Sequence, residues 1–132
     1  MNEVETNSLA QIASQYVNST NRHIFLTGRA GTGKTTFLKQ LVTKTHKKCV
    51  VAAPTGIAAI NAKGVTLHSL LQLPFGCFIP AELPPGTEEI HTEINPPKSI
   101  ARNRRFNKVK LALLREIALL IIDEVSMLRA DL

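Results

Sequence analysis

From Thr6 through Ala81 the chain contains no aspartate and no glutamate. The same span carries Arg22, Arg29, Lys34, Lys39, Lys44, Lys47, Lys48 and Lys63. Acids return later as Glu82, Glu88, Glu89 and Glu93, and a second basic block follows with Lys98, Arg102, Arg104, Arg105, Lys108, Lys110 and Arg115. Charge runs are usually solvated faces, but this distribution suits a phosphate-rich partner, with nucleic acid the leading candidate. Long apolar runs are also missing, which excludes a bilayer-spanning helix, and no membrane partner is expected. The N-terminus, Met1-Asn2-Glu3-Val4-Glu5, lacks the basic and apolar regions of a signal peptide, so the expected setting is intracellular and cytoplasmic. Only two cysteines occur, Cys49 and Cys77, at a separation that fits neither a zinc site nor a disulfide framework. Internal repeats and low-complexity tracts are absent, so a stacked-repeat architecture is excluded.

What is present suits a compact domain, or part of one. The chain has 132 residues, of which 44% are hydrophobic, enough to bury a core. Its most informative stretch is Gly28-Arg29-Ala30-Gly31-Thr32-Gly33-Lys34-Thr35, which matches the phosphate-binding loop pattern G-x-x-x-x-G-K-[ST]. Ile24-Phe25-Leu26 feeds into it and Thr36-Phe37-Leu38-Lys39-Gln40-Leu41-Val42 leaves it, the strand-before and helix-after setting that the pattern requires. Gly28, Gly31 and Gly33 let the loop turn tightly and bring N–H groups close to phosphate. The helix starting near Lys34 aims its positive end at the same anion. Lys34 is assigned to the β- and γ-phosphates and the Thr35 hydroxyl to Mg²⁺. Gly28, Ala30, Gly31, Thr32, Gly33, Lys34, Thr35 and Thr36 form the expected ATP cradle.

Along the chain, Leu9, Ile12, Ala13, Tyr16 and Val17 recur at helical spacing, predicting an amphipathic helix over Ser8 to Asn18. Arg22 to Thr27 reads as a first buried strand, and the loop and its helix run to about Lys44. Cys49-Val50-Val51-Ala52-Ala53 is a second strand, ended by Pro54-Thr55-Gly56. Ile57 to Ala62 reads as a short helix and Gly64 to Leu70 as a further short element. Residues 72–97 hold six prolines, Pro74, Pro80, Pro84, Pro85, Pro96 and Pro97, and read as a long Pro-rich loop within the domain. A long helix is expected from Ile100, burying Phe106, Val109, Leu113 and Ile117, with Arg104, Lys108 and Arg115 near its opposite face. Leu119-Leu120-Ile121-Ile122 reads as a third buried strand.

Strands alternating with helices imply an α/β fold with a parallel sheet and covered faces. Ligands in such folds sit at the carboxyl ends of the strands. Asp123 and Glu124 lie at such an end, where unpaired charge is costly unless a cation balances it. Asp123 is the expected holder of nucleotide-bound Mg²⁺, and Glu124 the expected base for the attacking water. Lys34, Asp123 and Glu124 are thus the candidate catalytic set, and Thr35 and Asp123 the candidate metal ligands.

At three places the chain resembles the PIF-type DNA helicases, in the RecD-like branch of superfamily one. Phe25 through Thr35 resembles motif I. Ala53-Pro54-Thr55-Gly56-Ile57-Ala58-Ala59, continuing to Gly64-Val65-Thr66-Leu67-His68-Ser69, resembles motif Ia and its extension. Leu120-Ile121-Ile122-Asp123-Glu124-Val125-Ser126-Met127 resembles motif II. The middle match is specific to this branch, and the resemblance covers the chain from about Ser8 on.

This resemblance implies a P-loop NTPase with a RecA-like parallel sheet. It implies an ATP- and Mg²⁺-dependent motor moving from five-prime to three-prime on single-stranded DNA and separating duplex at junctions, in repair and recombination. It also implies DNA contact at Thr55, Gly56, Thr66, His68 and Ser69. An N-terminal N–H cluster after Pro54 and the Thr55 hydroxyl suit a DNA phosphate. His68 suits either a phosphate or a base face. The family's adenine-recognising glutamine lies upstream of the P-loop strand, where Gln11 and Gln15 stand. The family's later motifs, its next core strand and its second RecA-like domain with the arginine finger are absent from these residues. The expectation is therefore an N-terminal part of a first motor domain, its sheet truncated after motif II and with little activity alone. Two other readings remain open: a stand-alone ATP-binding module or small P-loop kinase, and a non-enzymatic DNA-binding module recruited by charge.

Overall fold

A computed structural model describes residues 3–82, 84, 94–103 and 106–132. The chain divides into two compact units, Met1–Cys49 with Ile117–Leu119, and Val50–Glu116 with Leu120–Leu132.

In the first unit, helix α1 spans Glu3–Ser19 and helix α2 spans Lys34–Lys44. Helix α1 is longer than its apolar spacing predicts, and its covered side is displaced from the expected one. Ala10, Ala13, Ser14, Val17 and Asn18 are half-buried, whereas Leu9, Ile12 and Tyr16 are exposed. Its C-terminal end is tied down by polar bonds. The Thr45 hydroxyl donates to Asn18 Oδ1 at 2.8 Å, and Lys47 Nζ donates to the Thr20 carbonyl at 2.7 Å. Leu41 is the buried anchor of α2.

Arg22 to Thr27 is not a buried strand here. Residues 21–30 are all exposed, Phe25 at 75%, and none of 22–27 is strand. Apolar composition supplies a tendency to extend, but a strand needs a neighbour for its N–H and C=O groups. Among the described residues none pairs with this segment.

The three-stranded sheet has the order β2-β1-β5, with β1 at Cys49–Ala53, β2 at Val65–Thr66 and β5 at Leu119–Ile122. Strands β1 and β2 are parallel, with Ala52 opposite Val65 and Ala53 opposite Thr66. On the other side, Leu119 N–H donates to Lys48 O at 3.1 Å and Asp123 N–H to Ala52 O at 2.9 Å. The partners advance in step along both strands, as parallel strands require.

Within the second unit the core is built largely from small residues. Ala52 and Ala53 are fully buried in β1. Ala53 clusters with Ala58 and Ala59 of helix α3, Gly56–Asn61. Alanines on both elements let a short helix lie close to the strand before it. Helix α4, Leu67–Leu71, follows β2 and buries Leu67 and Leu70. The turn into β2 depends on Gly64, whose Cα lies against β1.

The Pro-rich segment 72–97 is paired near its two ends. Strand β3, Cys77–Phe78, runs parallel to strand β4, Ile94–Asn95, with Cys77 opposite Ile94 and Phe78 opposite Asn95. Residues 83 and 85–93 of that segment lie outside the described residues.

The single long helix expected from Ile100 is instead two helices, α5 at Pro97–Asn103 and α6 at Lys108–Glu116. The second has its own start signal: Asn107 Oδ1 accepts the Lys110 N–H at 2.7 Å, the bond of a side-chain N-cap. The expected buried stripe fails with it. Val109 is 77% exposed and Leu113 is exposed too, while Phe106, Lys110, Leu114 and Ile117 are half-buried. Breaking the helix at Asn107 resets its rotation, so residues spaced for one continuous helix no longer share a covered face. Arg104 lies outside the described residues.

Candidate functional site

In the first unit, the loop from Gly28 to Gly33 is exposed along its length and feeds directly into α2. Gly33 is the residue before the helix and adopts the left-handed conformation, φ 83° and ψ 14°, and Gly31 has φ 77°. A side chain at either position would be strained, so the glycines of the pattern are used where the backbone needs them. No acid lies in the first turn of α2. The first intrahelical bond runs from Phe37 N–H to Gly33 O at 2.8 Å, so the N–H groups of Lys34, Thr35 and Thr36 come before it. Those donors and the helix dipole form an anion-attracting end.

Two side chains brace the loop. Thr32 donates its hydroxyl to Arg29 O at 2.8 Å. Lys34 Nζ donates to Gly28 O at 2.7 Å and to Arg29 O at 2.8 Å. These charge-assisted bonds keep the ammonium over the loop. A Cβ on Gly28 would come within 3.0 Å of Thr32 Oγ1. Thr35 and Thr36 are exposed on the first turn, while Gln11 and Gln15 are exposed on α1.

The second unit carries the remaining candidates. Asp123 follows the last residue of β5, half-buried, and its Oδ1 accepts the Glu124 N–H at 2.9 Å. Glu124 is exposed and left-handed, φ 52° and ψ 42°, and precedes a single 3₁₀ turn at Val125–Met127. A glutamate in that conformation costs about 1–2 kcal/mol.

Thr55 and Thr66 prove to be matched helix caps. Thr55 Oγ1 accepts Ala58 N–H at 3.2 Å at the start of α3, and Thr66 Oγ1 accepts Ser69 N–H at 3.1 Å at the start of α4. Each hydroxyl keeps its own proton as a donor. Gly56 is exposed, with no atom within 4 Å of where a Cβ would lie. His68 is half-buried and stacks on Phe75, with centroids 5.5 Å apart and planes 15° apart. Ser69 is exposed, and Lys110 Nζ reaches its carbonyl at 3.5 Å.

Other residues in this unit were not singled out by sequence reasoning. Phe75 is one, its sole sequence signal being an aromatic between Pro74 and Gly76. Arg129 and Asp131 are two more. Arg129 grips Asp131 through two bonds, Nε to Oδ1 at 2.9 Å and a terminal nitrogen to Oδ2 at 2.7 Å. The same guanidinium donates to Gly76 O at 2.6 Å, and Asp131 Oδ2 accepts the Phe78 N–H at 3.0 Å. The Phe78 amide, then Arg129, holds the Asp131 carboxyl below the usual carboxylate range, and the bond to Asp131 raises the Arg129 pKa. This pair clasps β3 to the segment after Glu124. No spacing pattern marks it, because both partners on the other side are backbone atoms.

The parallel sheet flanked by helices, with a glycine-rich loop opening α2, defines an α/β P-loop domain of the RecA-like kind. A family profile described as PIF1-like helicase matches residues 1–132. The chain belongs to that family. It is 37% identical over 110 residues to the ATP-dependent DNA helicase PIF7 of Trypanosoma brucei brucei, covering 83% of this chain and 10% of that protein. It is 35% identical over 114 residues to the ATP-dependent DNA helicase Pif1 of a Psychrobacter species, covering 84% of this chain and 15% of that one. Among solved structures, Bacteroides Pif1 in complex with ADP-AlF4 superimposes with a TM-score of 0.71 at 44% identity, over 92% of this chain and 24% of that one. Bacteroides Pif1 bound to single-stranded DNA gives 0.67 at 41% identity, over 99% and 25%. The chain thus spans between a tenth and a quarter of the length of these relatives. Cys49 and Cys77 are both free. Among the described residues no helix is long and apolar enough to cross a membrane.

Proposed function

We propose that this chain is the nucleotide-binding and first DNA-contacting part of an ATP-dependent DNA helicase that moves from five-prime to three-prime. The observation that carries the proposal is the loop itself. Two left-handed glycines, a helix start with no acid in its first turn, and a lysine held over the loop together suit a triphosphate. Gly28, Ala30, Gly31, Thr32 and Gly33 offer backbone donors to phosphate, and Thr35 and Thr36 extend that row into the helix. Lys34 exchanges its loop carbonyls for the β- and γ-phosphates.

The oxygen donors available suit Mg²⁺, a hard cation that takes carboxylate and hydroxyl ligands beside nucleotide phosphates. Thr35 and Asp123 are the residues that would hold it, and when bound it neutralises charge on the phosphates. Asp123 is held in place by the Glu124 amide. Glu124 takes the proton of the attacking water. A second RecA-like domain, as partner, supplies the cationic group that reaches the γ-phosphate.

DNA binds along the second unit as a single strand, up to the junction with duplex. Thr55 and Thr66 donate their hydroxyl protons to backbone phosphates while their oxygens cap α3 and α4. Gly56 and Ser69 present N–H and hydroxyl donors beside them, and His68 presents a ring edge. The work suits an intracellular, DNA-containing compartment, in repair and recombination.

Calorimetric titration with ATP tests the nucleotide half. Lys34→Ala removes a charge-assisted contact of about 1.5–3 kcal/mol. ATP binding weakens about ten-fold or more. Equal affinity in mutant and parent would remove the loop from the nucleotide site.

A further inference from the structure

We propose that the open face of Phe75 is a stacking platform for one unpaired nucleobase, with His68 as its backing. The inference rests on the reading of the second unit as a binder of single-stranded DNA, and it names what that unit reads besides phosphate.

Phe75 is 85% exposed, more than any other large apolar residue among those described. An exposed ring on a free loop would signify little. This one is fixed at two points. One side of it is stacked by His68 in a nearly parallel arrangement, 5.5 Å between centroids and 15° between planes. Its carbonyl accepts a 2.8 Å bond from Asn95 Nδ2, and Asn95 is itself only 4% exposed. The backbone that carries this exposed ring is therefore anchored by a buried amide, and the ring itself is stacked by a second ring. Holding it in place beforehand reduces the ordering cost of binding.

The chemistry that fits such a surface is another flat π-system. Bases stack on aromatic side chains whatever their sequence, because every base has a π-face. Phosphate donors lie on the same short stretch of chain. His68 belongs to α4, whose cap residue Thr66 and exposed Ser69 flank it, and Lys110 Nζ lies 3.5 Å from the Ser69 carbonyl. A cation and hydroxyls grouped around His68, whose ring stacks on Phe75, match the alternation of phosphate and base along a single strand. A duplex keeps its bases stacked and offers the ring nothing, so the platform favours unpaired strand.

The test uses the whole chain, which contains no tryptophan. Phe75→Trp places one fluorophore at the platform. Emission should be quenched by oligothymidine and unaffected by a phosphodeoxyribose strand of equal length without bases. In parallel, Phe75→Ala should weaken oligothymidine binding about 5- to 100-fold, leaving affinity for the base-free strand unchanged. The exposure of Phe75 keeps its truncation from disturbing the core, and unchanged far-ultraviolet dichroism checks this. Wild-type chain that binds both strands equally, or Phe75→Ala that binds oligothymidine like the parent, overturns the platform and leaves phosphate binding standing. Wild-type chain that binds neither strand overturns the platform and the single-strand reading together.

Discussion

Gly64 lies so close to Val51 that a methyl group on its Cα would come within 2.3 Å of the Val51 carbonyl oxygen. Backbone cannot yield there without pulling β1 away from β2. Gly64→Ala is therefore expected to destabilise the fold by about 1–3 kcal/mol, the cost of overpacking a closed contact. Urea unfolding followed by circular dichroism measures it. A midpoint equal to the parent's would mean that β2 is free to move.

Glu124→Gln should leave ATP binding intact and abolish hydrolysis in a protein of the relatives' full length. The amide has the shape of the acid but cannot accept a proton from water. Single-turnover hydrolysis with radiolabelled ATP reads the two effects apart. Full hydrolysis in the variant would assign the base to another residue.

The clasp between Arg129 and Asp131 makes an acid-side prediction. Asp131 has its pKa lowered in the fold, first by the Phe78 amide and then by Arg129. A depressed carboxyl contributes stability that is present above the unfolded value, ~3.9, and is lost as pH falls through the folded value. Asp131→Asn should thus be less stable than the parent at neutral pH, with the gap closing only below about pH 4. Unfolding free energies at several pH values test this. A gap that stays constant down to the acid limit would show that the carboxylate charge is irrelevant.

Binding to single-stranded DNA should be tolerant of sequence and fall steeply with salt if the proposed contacts through Thr55, Ser69 and His68 are mainly to the backbone. Anisotropy with mixed-sequence oligonucleotides across a range of potassium chloride concentrations measures both. Tight, salt-insensitive binding to one duplex sequence would contradict it.

Much of the local structure was legible because it rests on local rules. The glycine pattern at Gly28, Gly31 and Gly33 names positions where the backbone must turn, and two of the three are left-handed in the fold. The run Cys49–Ala53 becomes the central strand, and Leu119–Ile122 becomes its neighbour, each being short and apolar. Thr55 and Thr66, read from the sequence as DNA contacts, are found to cap α3 and α4, a role of short-range geometry.

Other features depended on partners distant in sequence. Ile24-Phe25-Leu26 has the composition of a strand, but a strand exists only where another pairs with it, and the described residues provide none there. Val109 and Leu113 have helical spacing, yet Asn107 starts a new helix and turns them outward. The stack of His68 on Phe75 spans a left-handed turn at Gln72, which no periodicity reports. The Arg129–Asp131 clasp recognises backbone atoms of Gly76 and Phe78, which leave no mark in side-chain pattern. The sequence by itself determined the glycine-rich turn, the strand Cys49–Ala53 and its neighbour Leu119–Ile122, because each is written in neighbouring residues. Only the tertiary structure decided which apolar residues are covered and which aromatic ring stays open, because burial depends on what folds back from far along the chain.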